Sequence, residues 1–187
     1  MAKEKAITAT ELKKALKVLT HKDITELVCE IAAACPLARD FLTAKFSTDE
    51  NRESLLQKYK QRIESGFYTR SGNPQLSLRV AKQAISDFKK TNKDKAMLVD
   101  LMLFYVENCV DFTKQFGDID EGFYNSAIGV YAQVVKEINQ DENIYNEFAG
   151  RIEKAAENAC DGWCFKDNML DLYYEIAWLP DEEELDT

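Results

Sequence analysis

Glycine and proline are scarce. Seven Gly and three Pro in 187 residues leave few positions for the tight turns that a many-stranded sandwich or barrel needs. Histidine is scarcer still. The one imidazole, His21, stands beside Lys22 and Asp23 in the first turn of a helical pattern, where a solvated side chain is expected. A lone His removes the His-based hydrolytic sets and the paired Glu-x-x-His motifs of a di-iron bundle. Neither G-x-G-x-x-G nor G-x-x-x-x-G-K-S/T occurs, so the loops that cradle nucleotide phosphates are missing and no cofactor is expected. No apolar run approaches the roughly 20 residues that span a bilayer, and Met1-Ala2-Lys3-Glu4-Lys5 opens on charge rather than on the apolar stretch of a signal peptide. The five cysteines, Cys29, Cys35, Cys109, Cys160 and Cys164, are odd in number and contain no C-x-x-C, which suits reduced thiols. The expected location is the cytoplasm, with no membrane partner.

What is present favours helices. Hydrophobic residues make up 45% of the chain and aromatics 11%, enough to bury a core at this length. Thr8 with Glu11 has capping-box spacing, and Leu12, Leu16 and Leu19 follow at helical intervals, predicting a helix over Ala9–Leu19. Thr20 caps a second whose Ile24, Leu27, Val28 and Ile31 share one face, and Pro36 opens a third through Leu37, Phe41 and Leu42. Ser47 with Glu50 predicts another capping box before Leu55, Leu56, Tyr59 and Ile63, with Gly66 as a left-handed terminus. Tyr68–Pro74 concentrates turn formers and is the main candidate hinge. Ser77, Asp94, Asp120 and Asp141 are each placed to cap a further helix, and a last one follows Gly162 and stops at Pro180. Met97–Val110 is apolar nearly all round, as a central helix would be.

The predicted fold is all-α, with eight or nine antiparallel helices arranged as an irregular α-α superhelix or a bundle, without a legible repeat consensus. Residues 1–47 form an N-terminal three-helix cluster and 48–180 a body of helical hairpins, in one domain. Residues 181–187 are an acidic tail with five acids in seven positions.

The formal charge of −9 hides an asymmetry. Residues 1–95 hold 19 basic and 12 acidic side chains (+7), and 96–187 hold 5 and 21 (−16). The two halves can neutralise each other within the fold or between copies. Asp167, Asp171 and Glu175 fall four apart on the last helix, a like-charge stack that calls for cations opposite; Asp100, Glu107 and Asp111 on the central helix raise the same requirement. Gly117-Asp118-Ile119-Asp120-Glu121 offers three carboxylates in four residues, but positions six and twelve counted from Asp118 are Phe123 and Gly129, which excludes an EF-hand loop. Cys160 and Cys164 lack two further zinc ligands, so no metal site is expected. Arg70, Arg79, Lys82, Lys89 and Lys90 form a basic surface with interleaved aromatics, of the kind that binds nucleic-acid phosphates. Glu64 and Asp87 interrupt it.

The segments Leu12–Leu16, Ile85–Lys90, Leu101–Asn108 and Phe116–Ser126, extended by Gly162-Trp163 and Asp171–Glu175, resemble an uncharacterised bacterial helical family, domain of unknown function 6155. The resemblance spans nearly the whole chain and implies an all-helical protein without an assigned activity. Glu107, Asn108, Asp118, Tyr124, Asn125 and Trp163 are family-like residues that local propensity does not require, and with Asp120, Asp171 and Tyr174 they are the candidate binding residues. Three readings follow. The first is a non-catalytic protein-binding or scaffolding module with a protein or peptide partner, or a second copy of itself. The second is a metal-dependent enzyme using the carboxylates of Asp118–Glu121 with Glu107 or the Asp171 face. The third is nucleic-acid binding through the basic half.

Overall fold

The computed structural model describes residues 6–180; the predicted acidic tail, 181–187, lies outside them. Among the described residues nine α-helices follow one another: α1 (Ala9–Leu16), α2 (His21–Ala34), α3 (Pro36–Phe46), α4 (Asp49–Glu64), α5 (Leu78–Thr91), α6 (Lys95–Phe116), α7 (Glu121–Ile138), α8 (Glu142–Glu157) and α9 (Phe165–Tyr174), with a short 3-10 turn at Gly162–Cys164. No strand forms among the described residues, and the chain is all-α as its sequence predicts.

Local chemistry sets most boundaries. Thr8 and Thr20 form reciprocal capping boxes with Glu11 and Asp23, while Asp94, Asp120 and Asp141 each accept a hydrogen bond from a backbone N–H in the first turn of α6, α7 and α8. These bonds satisfy donors that a helix start otherwise leaves without partners. Four expectations fail. The first helix ends at Leu16 instead of Leu19, since Leu19 N–H already turns back to Leu16 O at 3.3 Å. Thr48 rather than Ser47 precedes α4, with no side-chain cap, and Ser77 at the start of α5 also makes none. Gly66 keeps a negative φ and serves close approach: a Cβ there would stand 3.0 Å from Ala81 Cβ and 3.0 Å from Ser77 O, so only glycine lets α4 and α5 converge at this point.

The segment read as a hinge is a closed turn. Tyr68 and Pro74 pair as an isolated bridge, Thr69 N–H donates to Asn73 O at 2.8 Å, and Gln75 N–H donates to Phe67 O at 2.8 Å. Gly72 supplies the positive φ that the reversal requires.

The core surrounds α6, which packs against α4, α5, α7 and α8 and buries Leu101, Met102, Leu103, Tyr105, Val106 and Cys109 completely or nearly so. α9 lies across α7 and α8, pinned where Trp178 Nε1 donates to Ile138 O at 2.9 Å. α3 joins α4 through Asp40, buried to 4% exposure, whose carboxylate accepts Lys58 Nζ at 2.6 Å and the Tyr59 hydroxyl at 2.8 Å. Burial and that carboxylate push the Tyr59 phenol up to about 12. α4 joins α5 through Asp87, which accepts Arg62 and Gln83 at 2.8 Å each. Burial opposes the charge on Asp87, but these donors outweigh it and hold the carboxyl below its usual range. The basic half is thus partly neutralised within the fold, by Lys60–Asp100 and Lys95–Glu137 across the two halves.

Candidate functional site

The sequence-predicted residues do not gather at one place. They divide among a polar groove on α6, a cluster at the start of α7 and the outer face of α9. The structure adds a fourth feature, the apolar arm of α1 and α2.

The groove follows from a polar stripe on an otherwise apolar helix. Asp100, Glu107, Asn108 and Asp111 recur at intervals that keep them on one face of α6, and α4 and α8 flank that face. Arg151, from α8, reaches across it. Its Nη1 donates to Asp100 Oδ1 at 2.6 Å, and its Nε and Nη2 donate to the two Glu107 oxygens at 2.7 and 2.9 Å. Lys60 completes Asp100 from the α4 side at 2.8 Å. Burial disfavours the guanidinium charge, but Glu107 and Asp100 more than compensate and hold Arg151 protonated well above its ordinary range. The cations needed opposite Asp100 and Glu107 are therefore present, one from each half of the chain.

Beside this network lies a cavity of about 400 Å³ bounded by Glu64, Asp111, Lys114, Lys154 and the carboxamides of Asn108 and Asn158. Each amide nitrogen is tied back to a carbonyl of its own helix, Asn108 to Phe104 O at 2.7 Å and Asn158 to Lys154 O at 2.8 Å. An adjoining cavity of about 330 Å³ shares Glu64 and Asn108 and extends to Tyr68 and Arg70.

The second cluster joins residues 118–124 to the α8–α9 connection. Tyr124 is buried; its hydroxyl donates to Asp118 Oδ1 at 2.8 Å and accepts Ile119 N–H at 3.3 Å, with the Cys160 thiol 3.5 Å away. Burial, with Cys160 and Asp118, pushes the phenol above its usual range. Gly162 lies flush against this pair: a Cβ there would stand 2.7 Å from Asp118 Oδ1 and 3.1 Å from the Tyr124 hydroxyl. The next two residues, Trp163 and Cys164, adopt positive φ of 52° and 53°, a conformation costly for side chains with a Cβ, and Trp163 is 55% exposed. Asp120 does not join the cluster, because its Oδ1 accepts Phe123 N–H at 2.9 Å and caps α7. Asn125 is exposed on α7.

On α9, Asp171 and Tyr174 are exposed. Among the described residues no cation forms an ion pair with Asp167, Asp171 or Glu175, so the expected opposing charges are not found there. Of the basic surface, Lys90 pairs with Asp87 at 3.5 Å, Lys82 and Lys89 border a shallow cleft with Ile85 and Val130, Arg70 lines the smaller groove cavity, and Arg79 is exposed on α5. Among the described residues no three His, Cys, Asp or Glu side chains converge as a metal ion would require, and no helix is long and apolar enough to cross a membrane.

The fourth feature escapes sequence reasoning. α1 and α2 bury no residue at all, although they carry the periodic stripes that normally face a core. Ile7, Leu12, Val18, Leu19, Ile24, Val28 and Ile31 are all exposed, half of the exposed large hydrophobic residues in the described chain. α2 rests on α3, and α1 has no substantial packing partner. Amphipathic periodicity announces that a face seeks cover; it does not say whether the same chain supplies it.

Comparison with known proteins adds one positive finding. No curated protein and no solved structure matches the chain. The model of DUF6155, a family of unknown function, matches residues 7–177, and the chain belongs to that family.

Proposed function

We propose that this chain is a non-catalytic helical module that binds another protein through its N-terminal arm. The observation that supports this reading is the uncovered apolar surface of α1 and α2. Exposed apolar side chains concentrated in one segment in this way mark an interaction site. Full burial of a Val, Leu or Ile is worth about 1.5–3 kcal/mol, so seven partly exposed side chains leave several kcal/mol that a partner can recover. The α2 half of the arm is held against the body: from α3, Arg39 donates to the C-terminal carbonyls of α2, Nε to Ala32 O at 3.1 Å and Nη2 to Ala33 O at 3.2 Å, a favourable place for a cation. The body behind it, with its ion-paired α6 groove, is the rigid support. The five free thiols, three of them exposed, suit a reducing compartment, and we place the module in the cytoplasm.

Site-specific photo-cross-linking in cells expressing the full chain tests this. A photoreactive residue at Val28 is expected to yield a discrete cross-linked protein species, and one at exposed Asp171 is expected to yield none. Absence of any Val28 species would refute the reading.

A further inference from the structure

We infer that the partner of the arm is a second copy of this chain, in a two-fold pair in which α1 of each copy lies on α2 of the other; this rests on the interaction reading above. The argument is charge complementarity between the two helices that carry the exposed apolar stripes. From Ala9 to Lys17, three cations (Lys13, Lys14, Lys17) stand against one acid (Glu11), a net of +2. In α2 one cation (Lys22) stands against three acids (Asp23, Glu26, Glu30), a net of −2. At 100° per residue, Lys13 lines one edge of the Leu12–Leu16 stripe of α1, and Asp23 and Glu30 line one edge of the stripe formed by Ile24, Leu27, Val28 and Ile31.

Within one chain these edges do not meet. Among the described residues the one ion pair of the arm is Lys22–Glu26, 3.8 Å apart within α2 itself, and α1 packs substantially on nothing. A surface made of one cationic and one anionic helix, each with an exposed apolar stripe, can be complementary to itself after a half-turn, which is what an isologous interface requires. A partner of one charge sign would match only one of the two helices. An anionic lipid surface would repel α2. Reciprocal α1-on-α2 contact covers both stripes and pairs both edges at once.

Sedimentation velocity and light scattering of the 21.4 kDa chain test the inference. The wild type is expected to have twice the chain mass at micromolar concentration. Ile24→Glu with Ile31→Glu should raise the dissociation constant about a hundredfold while leaving helical content unchanged, because neither residue is buried in the single chain. Lys13→Glu and Glu30→Lys should each weaken association by about three- to tenfold, and the two together should restore it. These exposed charge variants keep the test valid if the double Glu variant fails to fold.

A wild-type chain that stays monomeric, or an Ile24/Ile31 variant that associates like the wild type, overturns the inference. So does a charge-swapped double variant weaker than either single one. If the chain is monomeric and Val28 cross-links to a different protein, self-association falls and the interaction reading stands. If Val28 cross-links to nothing, both fall.

Discussion

Arg151→Met is expected to destabilise the fold by about 2–3 kcal/mol. The substitution keeps much of the apolar stem and removes three charge-assisted hydrogen bonds, one to Asp100 and two to Glu107. Breaking a buried pair by deleting one partner costs about 3–5 kcal/mol. Here the Arg151 side chain is 35% exposed and that of Glu107 32%, so water answers part of the loss and the lower figure applies. The cost is unevenly placed. Asp100 keeps Lys60 at 2.8 Å, whereas Glu107 keeps no cation. Adding Glu107→Gln to Arg151→Met should therefore recover about 1 kcal/mol, and adding Asp100→Asn should recover little. Urea unfolding followed by circular dichroism gives each value. The thermal midpoint should fall by about 5–10 °C, at about 2–4 °C per kcal/mol for a chain of this size. An Arg151→Met protein within about 0.5 kcal/mol of wild type would refute the network as a determinant of stability.

Further expectations concern backbone and pH. Gly66→Ala should cost about 1–3 kcal/mol, measured by chemical unfolding, because the new methyl group would press on Ala81 and the Ser77 carbonyl. Cys164→Gly should stabilise by about 0.5–1 kcal/mol, since glycine accepts the positive φ at that exposed position without steric cost. In acid, the carboxyls of Asp87, Glu11 and Asp23 have folded values below their ordinary ones. Their contribution is complete above the ordinary carboxyl range and is lost as pH falls from there through the lower folded values. Urea midpoints measured between about pH 6 and pH 3 should decline accordingly, and Asp87→Asn should decline less steeply than wild type.

Much of this architecture is legible because helix starts are local. Thr8, Thr20, Asp94, Asp120 and Asp141 announce themselves within four residues, and the nearly continuous apolar run of α6 declares its central place. What escapes is set by distant parts of the chain. Arg151 lies 44 positions from Glu107 and 51 from Asp100, a separation no spacing rule bridges. Gly66 reads locally as a helix terminus, yet its role is fixed by Ala81 and Ser77 across a turn. At the α8–α9 connection the glycine is Gly162, but positive φ falls on Trp163 and Cys164, because Gly162 is needed for its missing Cβ beside Asp118 and Tyr124. The arm shows the same limit: its stripes are plain in the sequence, and their lack of cover appears only when the other helices are in place.

The most direct measurement is the reactivity of the arm in the cell. In a Val28→Cys variant, labelling by a permeant maleimide can be compared between living cells and dilute purified protein, with exposed Cys164 as the internal control and buried Cys109 as the unreactive one. If the arm is an interaction surface, position 28 is strongly protected in cells while Cys164 reacts equally in both settings. Equal labelling of position 28 in cells and in dilute solution would contradict the account.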